Sequence, residues 1–267
     1  MKKRLSVKLT AVIIVKDEEY KVAKCLEGIK WADEVVVVDD MSSDRTMEIC
    51  RSYGAKVVRH NSEGNFDRQR NIGIDNGSGE WILQLDADEV VGEKLREAIK
   101  QAIQDPGNYV AFRFRRRNYC LGHFMRYGGC YDPYHIKLFR KDRARYVGKN
   151  IHETLKIDGP IGTLDADIDH YNFPGVSAYV ARQNAYSCVE AGVILGQKGR
   201  ISQKEIKYNL TLRPLKIFWK NYVKKRGYKD GMQGLVFAII SAFRHFLIYA
   251  KVWERTVYKS TKQDQRR

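Results

Sequence analysis

The chain has 267 residues, 43% of them hydrophobic, and a formal net charge of +16. That length and apolar content allow a full α/β core, either one large domain or a domain with an extension. The five cysteines are odd in number, scattered and without metal-ligand spacing, which argues against a disulfide framework and for a reducing compartment; the basic N-terminus leads into a strand pattern and not into a signal-length apolar segment.

The first hundred or so residues alternate strand and helix patterns, the signature of a parallel sheet with crossover helices. Leu9 to Val15 is a continuous apolar, β-branched run. Val22, Leu26 and Ile29 then recur at helical spacing, and Val35 to Val38 forms a second buried strand. Ser42 or Ser43 is placed to cap a helix from about Asp44 to Tyr53. Ala55 to Arg59 is a third strand, and a short helix runs from Asp67 to about Asp75 until Asn76-Gly77-Ser78-Gly79 breaks it. Trp81 to Leu85 is a fourth strand, followed by a helix through Leu95, Ile99 and Ile103.

Beyond Asp105-Pro106-Gly107 the period changes. Val110, Phe112 and Phe114 alternate with Ala111, Arg113 and Arg115 as on a half-exposed strand, and Ile136 to Arg140 is another. The stretch between, Asn118 to Pro133, is rich in Gly, Tyr and Cys and is expected as a shaped loop. From Val176 the pattern is helical to the end. The expected division is a nucleotide and catalytic domain over 1–175 and a basic helical region over 176–267.

The charge is unevenly spread. Arg200 to Arg267 holds 17 Lys/Arg against 4 Asp/Glu, +13 of the +16. Such a segment attracts an anionic membrane, an acidic glycolipid or nucleic acid, or is simply a solvated surface. Gly231 to Ala250 approaches a bilayer's length but contains Arg244 and His245. An Arg near the centre of a spanning helix costs about 2.5–3.5 kcal/mol on insertion scales. The segment therefore reads as an interfacial amphipathic helix or as an ordinary core helix.

The chemistry gathers at strand ends. Trp81-Ile82-Leu83-Gln84-Leu85 delivers Asp86-Ala87-Asp88-Glu89, and crowded carboxylates require an offsetting cation. A hard divalent ion, Mg²⁺ or Mn²⁺, takes such oxygens and leaves positions for phosphates. Strand one ends in Lys16-Asp17-Glu18-Glu19, strand two in Asp39-Asp40-Met41-Ser42-Ser43-Asp44, and strand three leads to Asp67-Arg68-Gln69-Arg70-Asn71. In an open α/β sheet ligands bind beyond the carboxyl ends of the strands, so Asp39, Asp86 and Asp88 converge on one crevice. Asp44 and Glu19 read as helix-start acids instead.

These segments, taken with Thr10 to Val15 and Arg45-Thr46, resemble the family 2 glycosyltransferases over about residues 8–175. The resemblance implies a GT-A fold, Rossmann-like with a mostly parallel sheet and flanking helices, and an inverting enzyme that uses a nucleotide sugar. Asn150-Ile151-His152-Glu153, His170-Tyr171 and the stretch from Tyr222 to Leu235 are similar to the bacterial lipopolysaccharide core glucosyltransferase branch. By that resemblance Asp39 bonds the uracil ring, Asp17 and Glu18 flank the nucleoside with Lys16, and Arg70 lies near the nucleotide. Asp86, with Ala87 beside it, approaches ribose and metal, and Asp88 ligates the metal that bridges the diphosphate. Asp17 stands where the family more often has Asn, and Asp40-Met41 replaces the usual Ser-Gly or Asp-Gly. The implied partners are a UDP-sugar, a glycolipid or other glycan acceptor and the inner face of the cytoplasmic membrane. Polyprenyl phosphate, capsule or protein are alternative acceptors.

Departure of a nucleoside diphosphate builds charge on the β-phosphate, which a divalent cation stabilises. The acceptor hydroxyl is a weak nucleophile, so a carboxylate must take its proton. Glu153 leads because His152-Glu153 follows a glycine-containing turn after Arg145-Tyr146-Val147; Asp132 and Glu89 are the alternatives, and a structural ion pair is the bland reading of Glu153. His170 either adds a metal ligand beside the diphosphate or is a hydrogen-bonded structural residue. Arg113, Arg115, Arg116 and Arg117 either meet acceptor phosphates or form one exposed strand face. A nucleic-acid-binding protein would leave the front acids unexplained and shows no aromatic-interleaved RNA motif. A nucleotidyltransferase would want an early Gly-rich phosphate loop, and none precedes Asp39.

Overall fold

In a computed structural model, residues 8–131, 134–148, 155–173, 175–199 and 201–264 are described. In chain order they form β1 (Leu9–Val15), α1 (Val22–Ile29), β2 (Glu34–Asp39), α2 (Thr46–Ser52), β3 (Lys56–Arg59), α3 (Phe66–Asn76), β4 (Trp81–Asp86), β5 (Glu89–Val90) and α4 (Glu93–Gln104). There follow β6 (Ala111–Cys120), β7 (His123–Phe124), β8 (Tyr134–Arg140), β9 (Ala144–Tyr146), β10 (Leu155–Ile157) and β11 (Ile161–Phe173). The helices α5 (Val176–Lys198), α6 (Gln203–Leu210), α7 (Leu212–Trp219) and α8 (Gly231–Asp264) complete the chain.

The main sheet runs β3-β2-β1-β4-β8-β6-β11-β5, with β7 paired to β6. Its first four strands are parallel. From β4 onward the described pairings are antiparallel, so the sheet is mixed, parallel in its first four strands and antiparallel beyond them. The cause is the short, hairpin-compatible spacing after α4, where no crossover helix intervenes between β6 and β8. β1 and β2 are buried on both faces, which is why they are near-continuous apolar runs.

One core face holds Val22, Cys25, Leu26 and Ile29 of α1 and Leu95 and Ile99 of α4 against the sheet. The other holds Val12, Val36, Ile82 and Phe139 beneath Ile74 and Tyr146. Each fully buried side chain of this size contributes about 1.5–3 kcal/mol. Gly73 of α3 lies so close to β1 that an added Cβ would overlap the Val12 Cγ1 methyl. That contact sets the helix carrying Arg70 at a fixed height over the sheet.

Two details differ from the sequence pattern. β6 is longer than the alternating stretch and continues to Cys120, where a reversal at Leu121-Gly122, both at positive φ, returns the chain as β7. Its alternation is also broken: Ala111 and Phe112 are both buried, with a register shift between Phe112 and Arg113.

The chain falls into two compact units, 1–117 with 133–170 and 118–132 with 171–267. They interleave in sequence. In the second unit α8 uses its charged face internally. Arg244 pairs with Glu190 of α5, His245 bonds Asn209 of α6 at 3.0 Å, and Lys251 donates to the Asn184 carbonyl at 2.8 Å. The segment Gly227–Thr256 is long and apolar enough to cross a membrane by length and composition, and a third of its most apolar window is buried.

Candidate active site

The register of the parallel strands builds the site. Val15 at the end of β1 pairs with Asp39 of β2, and Ile14 pairs with Asp86 of β4. The two acids therefore flank the carboxyl end of β1, about two strand spacings apart, or roughly 9–10 Å.

Asp39 is fully buried. Its carboxylate accepts the Ser42 N–H at 3.2 Å and lies 3.7 Å from Arg59 Nε. Met41, at φ 59°, turns the chain back so that the Ser42 amide reaches it. Asp40 faces the other way. Burial alone would raise its pKa, but the Ser62 N–H and hydroxyl, both at 2.7 Å, together with Lys16, hold it below the ordinary range. Lys16 Nζ is 3.5 Å from Asp40.

Asp17 takes a left-handed conformation at φ 50°, and its Oδ1 accepts the Ser43 N–H at 2.8 Å and the Ser43 hydroxyl at 3.1 Å. The Ser42 hydroxyl accepts the Asp17 N–H at 2.9 Å in return. Asp17 thus clasps the β1 loop to the β2 loop, a task an Asn oxygen performs equally well. Glu18 donates its N–H to Thr46 Oγ1 at 2.8 Å and pairs with Lys21 at 2.8 Å. Asp44 accepts the Thr46 and Glu19 N–H groups, and Glu19 accepts the Arg45 N–H, which are structural uses of both acids.

Arg70 is delivered by α3, whose buried polar residues tie the helix to neighbouring segments. Gln69 donates to the His60 carbonyl at 2.7 Å, and Asp67 accepts the Gly148 N–H at 2.8 Å. The Arg70 guanidinium donates to Asp86 Oδ1 at 3.0 Å and lies over the Tyr146 ring. The second Asp86 oxygen accepts from Lys137 of β8 at 3.2 Å. Burial would push the Asp86 carboxyl up, yet Lys137 and Arg70 more than offset it and hold it far below the carboxylate range. Burial likewise pulls Lys137 down, but Asp86 and Glu89 hold it above its usual value. These cations answer the Asp86 charge without a metal.

Glu89 is fully buried, accepts from Lys137 at 2.7 Å and from the Asp86 N–H at 2.9 Å, and lies 3.6 Å from Arg116. A carboxylate so enclosed is a strut of the loop, which removes it from the candidate bases. Asp88 points elsewhere. The antiparallel pairing of β5 with β11 sets His170 opposite Glu89, and His170 Nε2 comes to 3.3 Å from Asp88 Oδ1. Both side chains are buried. Ala87, between the two acids, is buried too. Among the described residues no group of three His, Cys, Asp or Glu is gathered for a metal. The Asp88–His170 pair nevertheless fits Mg²⁺ or Mn²⁺, because these ions take one or two protein ligands and fill the remainder with substrate phosphates and water. Asp132, His152 and Glu153 lie outside the described residues.

Sequence reading missed Lys137 and His135. β8 runs antiparallel to β4 in the register Leu83↔Leu138, which carries both residues past Asp86. Burial and the neighbouring Arg116 and Lys137 push His135 down to about 4. A usable signal existed: a lysine inside the apolar run Ile136 to Phe139 requires a buried carboxylate partner. The arginine run is divided. Arg113 and Arg115 lie over the Tyr134 ring, Arg117 pairs with Asp169 at 2.7 Å, and Arg116 alone reaches Glu89.

The family model "Glycosyl transferase family 2" matches residues 10–156. The lipopolysaccharide core biosynthesis glycosyltransferase LpsC of Rhizobium meliloti (strain 1021) is 26% identical over 260 residues, 94% of each chain. An uncharacterized glycosyltransferase of Rickettsia bellii (strain RML369-C) is 29% identical over 270 residues, 95% of this chain and 89% of that one. A crystal structure of S. aureus TarS 1-349 in complex with UDP aligns over 96% of this chain and 92% of that one, at 15% identity and a TM-score of 0.45. The acids at the ends of β1, β2 and β4 fall inside the family match, and the chain belongs to glycosyl transferase family 2 and is a glycosyltransferase.

Proposed function

We propose that the chain moves a hexose from a UDP-sugar, with inversion, to a hydroxyl of a membrane-linked glycan, in lipopolysaccharide core or related surface-glycan synthesis. The observation that carries this is the placement of Asp39, the Arg70–Asp86 pair and the Asp88–His170 pair beyond the carboxyl ends of β2 and β4, the strands on either side of β1. The full-length likeness to the lipopolysaccharide core enzyme supports the acceptor class.

In this reading Asp39, fixed by the Ser42 amide, accepts a uracil N–H. The Asp17–Ser43 clasp holds the two loops that flank the nucleoside. Asp86, oriented by Arg70 and Lys137, accepts from the ribose. Asp88 and His170 hold Mg²⁺ or Mn²⁺, which when bound supplies positive charge to the leaving diphosphate. Glu153 takes the acceptor proton, with Asp132 the second candidate.

A donor screen tests the reading: UDP-glucose, UDP-galactose, UDP-GlcNAc and GDP-mannose, followed by nucleotide release with and without Mn²⁺. Metal-dependent release of UDP from a UDP-sugar is expected, and no release from any donor refutes the reading. Glu153→Gln should lower kcat about 10²–10⁴-fold with UDP affinity unchanged. Near-normal turnover moves the base to Asp132.

A further inference from the structure

Helix α7 in the second unit has no buried residue, although five of the eight residues in its sequence, Leu-Arg-Pro-Leu-Lys-Ile-Phe-Trp, are large and apolar. Leu212, Leu215 and Trp219 are 54%, 66% and 55% exposed. Their spacing of three and four places them on one stripe of the helix. Cations surround that stripe. Arg213 and Lys216 lie within the helix, and the π-helical turn Lys220–Lys224 and the exposed Lys225, Arg226 and Lys229 follow it. No Asp or Glu occurs between Glu205 and Asp230, an interval with eight Lys or Arg. The acid that ends the interval, Asp230, is buried and spent on the Arg126 and Tyr127 N–H groups at 3.2 and 2.8 Å.

The basic strip is held in shape. The Lys225 carbonyl accepts the Gly128 N–H at 2.9 Å. Gly227 and Gly234 approach so closely that a Cβ on Gly234 would overlap the Gly227 carbonyl. Phe218 stacks on Tyr222 with ring centroids 5.3 Å apart, and Tyr222 meets Tyr228 edge-on. A fixed platform of apolar and aromatic residues ringed by cations, with no accessible acid, is complementary to a surface that is apolar beneath and anionic at its boundary. α8 differs. Its exposed stripe of Met232, Ile239, Phe243, Phe246 and Trp253 carries no interspersed cation, and its charged face is packed on α5 and α6.

We propose that α7 and the basic turn behind it dock the enzyme on an anionic lipid bilayer. Leu212, Leu215 and Trp219 enter the boundary between headgroups and acyl chains, and Lys220, Lys224 and Lys225 meet the lipid phosphates. The inference deepens the reading that the acceptor is membrane-linked.

The test is co-sedimentation of the full chain with vesicles of phosphatidylcholine alone or with added phosphatidylglycerol, beside UDP release from the donor in solution. The wild-type chain should bind only the anionic vesicles, and less as salt rises. Combining Leu215→Glu with Trp219→Glu should weaken binding at least about tenfold and leave UDP release unchanged. Ile239→Glu on α8 should bind as wild type. Brominated lipid should quench the wild-type fluorescence, and Trp219→Phe should lose that quenching. Wild-type binding by the double variant, equal binding to neutral vesicles, or loss of binding through Ile239→Glu alone overturns the proposal. A chain that binds anionic vesicles but releases UDP from no donor keeps the docking element and loses the sugar-transfer reading. A chain that turns over donor and ignores vesicles does the reverse.

Discussion

Lys137 is the residue on which the acid loop depends. Its ammonium bridges Asp86 and Glu89 at 3.2 and 2.7 Å, and both it and Glu89 are buried. Removing one partner of a buried ion pair costs about 3–5 kcal/mol, because the abandoned charge stays desolvated. Here the low end applies, about 3 kcal/mol, since Asp86 keeps 30% side-chain exposure and Arg70 and Arg116 still serve the two acids. Lys137→Met should therefore lower unfolding stability by that amount at pH 7 in urea melts. Asp86 is depressed in the fold, so its contribution is complete above the unfolded carboxylate value of about 3.9 and is lost as pH falls below it. The gap between variant and wild type should narrow below about pH 4, and a constant gap would detach Lys137 from Asp86. None of these pairings was visible from the three acids of Asp86-Ala87-Asp88-Glu89. Strand pairing with β8 and β11, distant in sequence, gave Asp86 to cations, Glu89 to the loop frame and Asp88 to His170.

At the scale of elements, the parallel half was legible because strands buried on both faces must be apolar runs, and β1, β2 and β4 are. β6 to β8 were less so, since a register shift and positive-φ turns leave no periodic trace. α3 shows how an element aims a side chain. Ala is a better helix former than Gly by about 1 kcal/mol, so Gly73→Ala would ordinarily stabilise. Overpacking costs about 1–3 kcal/mol, and the stiff β-branched Val12 beneath Gly73 cannot yield. Overpacking wins: Gly73→Ala should lower Tm and, by lifting α3 and with it Arg70, weaken UDP binding. A raised Tm would show that α3 tolerates displacement.

At the scale of the molecule, the helical unit borrows the segment 118–132 from the middle of the chain. Cys120, Met125 and Cys130 are covered by Tyr179 and Ile240, with Val236 and Phe237 packed alongside. A fragment ending at residue 175 lacks these covering side chains and exposes that cluster. Expression of 1–175 should give an aggregating or dye-binding product, whereas a soluble, cooperatively melting fragment would show that the segment is stable by itself. The uneven charge of the chain was plain from composition. The interleaving was not, because contacts between 118–132 and the distant helices have no local signature.

The loop after β4 has a consequence for the order of events in turnover. Asp86, Asp88 and Glu89 are matched in number by Arg70, Lys137 and Arg116. A bare dication approaching this loop therefore finds little net attraction, whereas a nucleoside diphosphate brings the negative charge that retains one. On the metal-assisted reading, Mn²⁺ should bind the protein weakly alone and more tightly once UDP is present, and UDP affinity should rise with Mn²⁺ by the same factor. Calorimetric titrations in both orders measure the two factors. Equal Mn²⁺ affinity with and without UDP would mean that the protein holds the ion unaided. Otherwise donor and metal arrive as one unit, and loss of UDP after transfer lets the metal go with it.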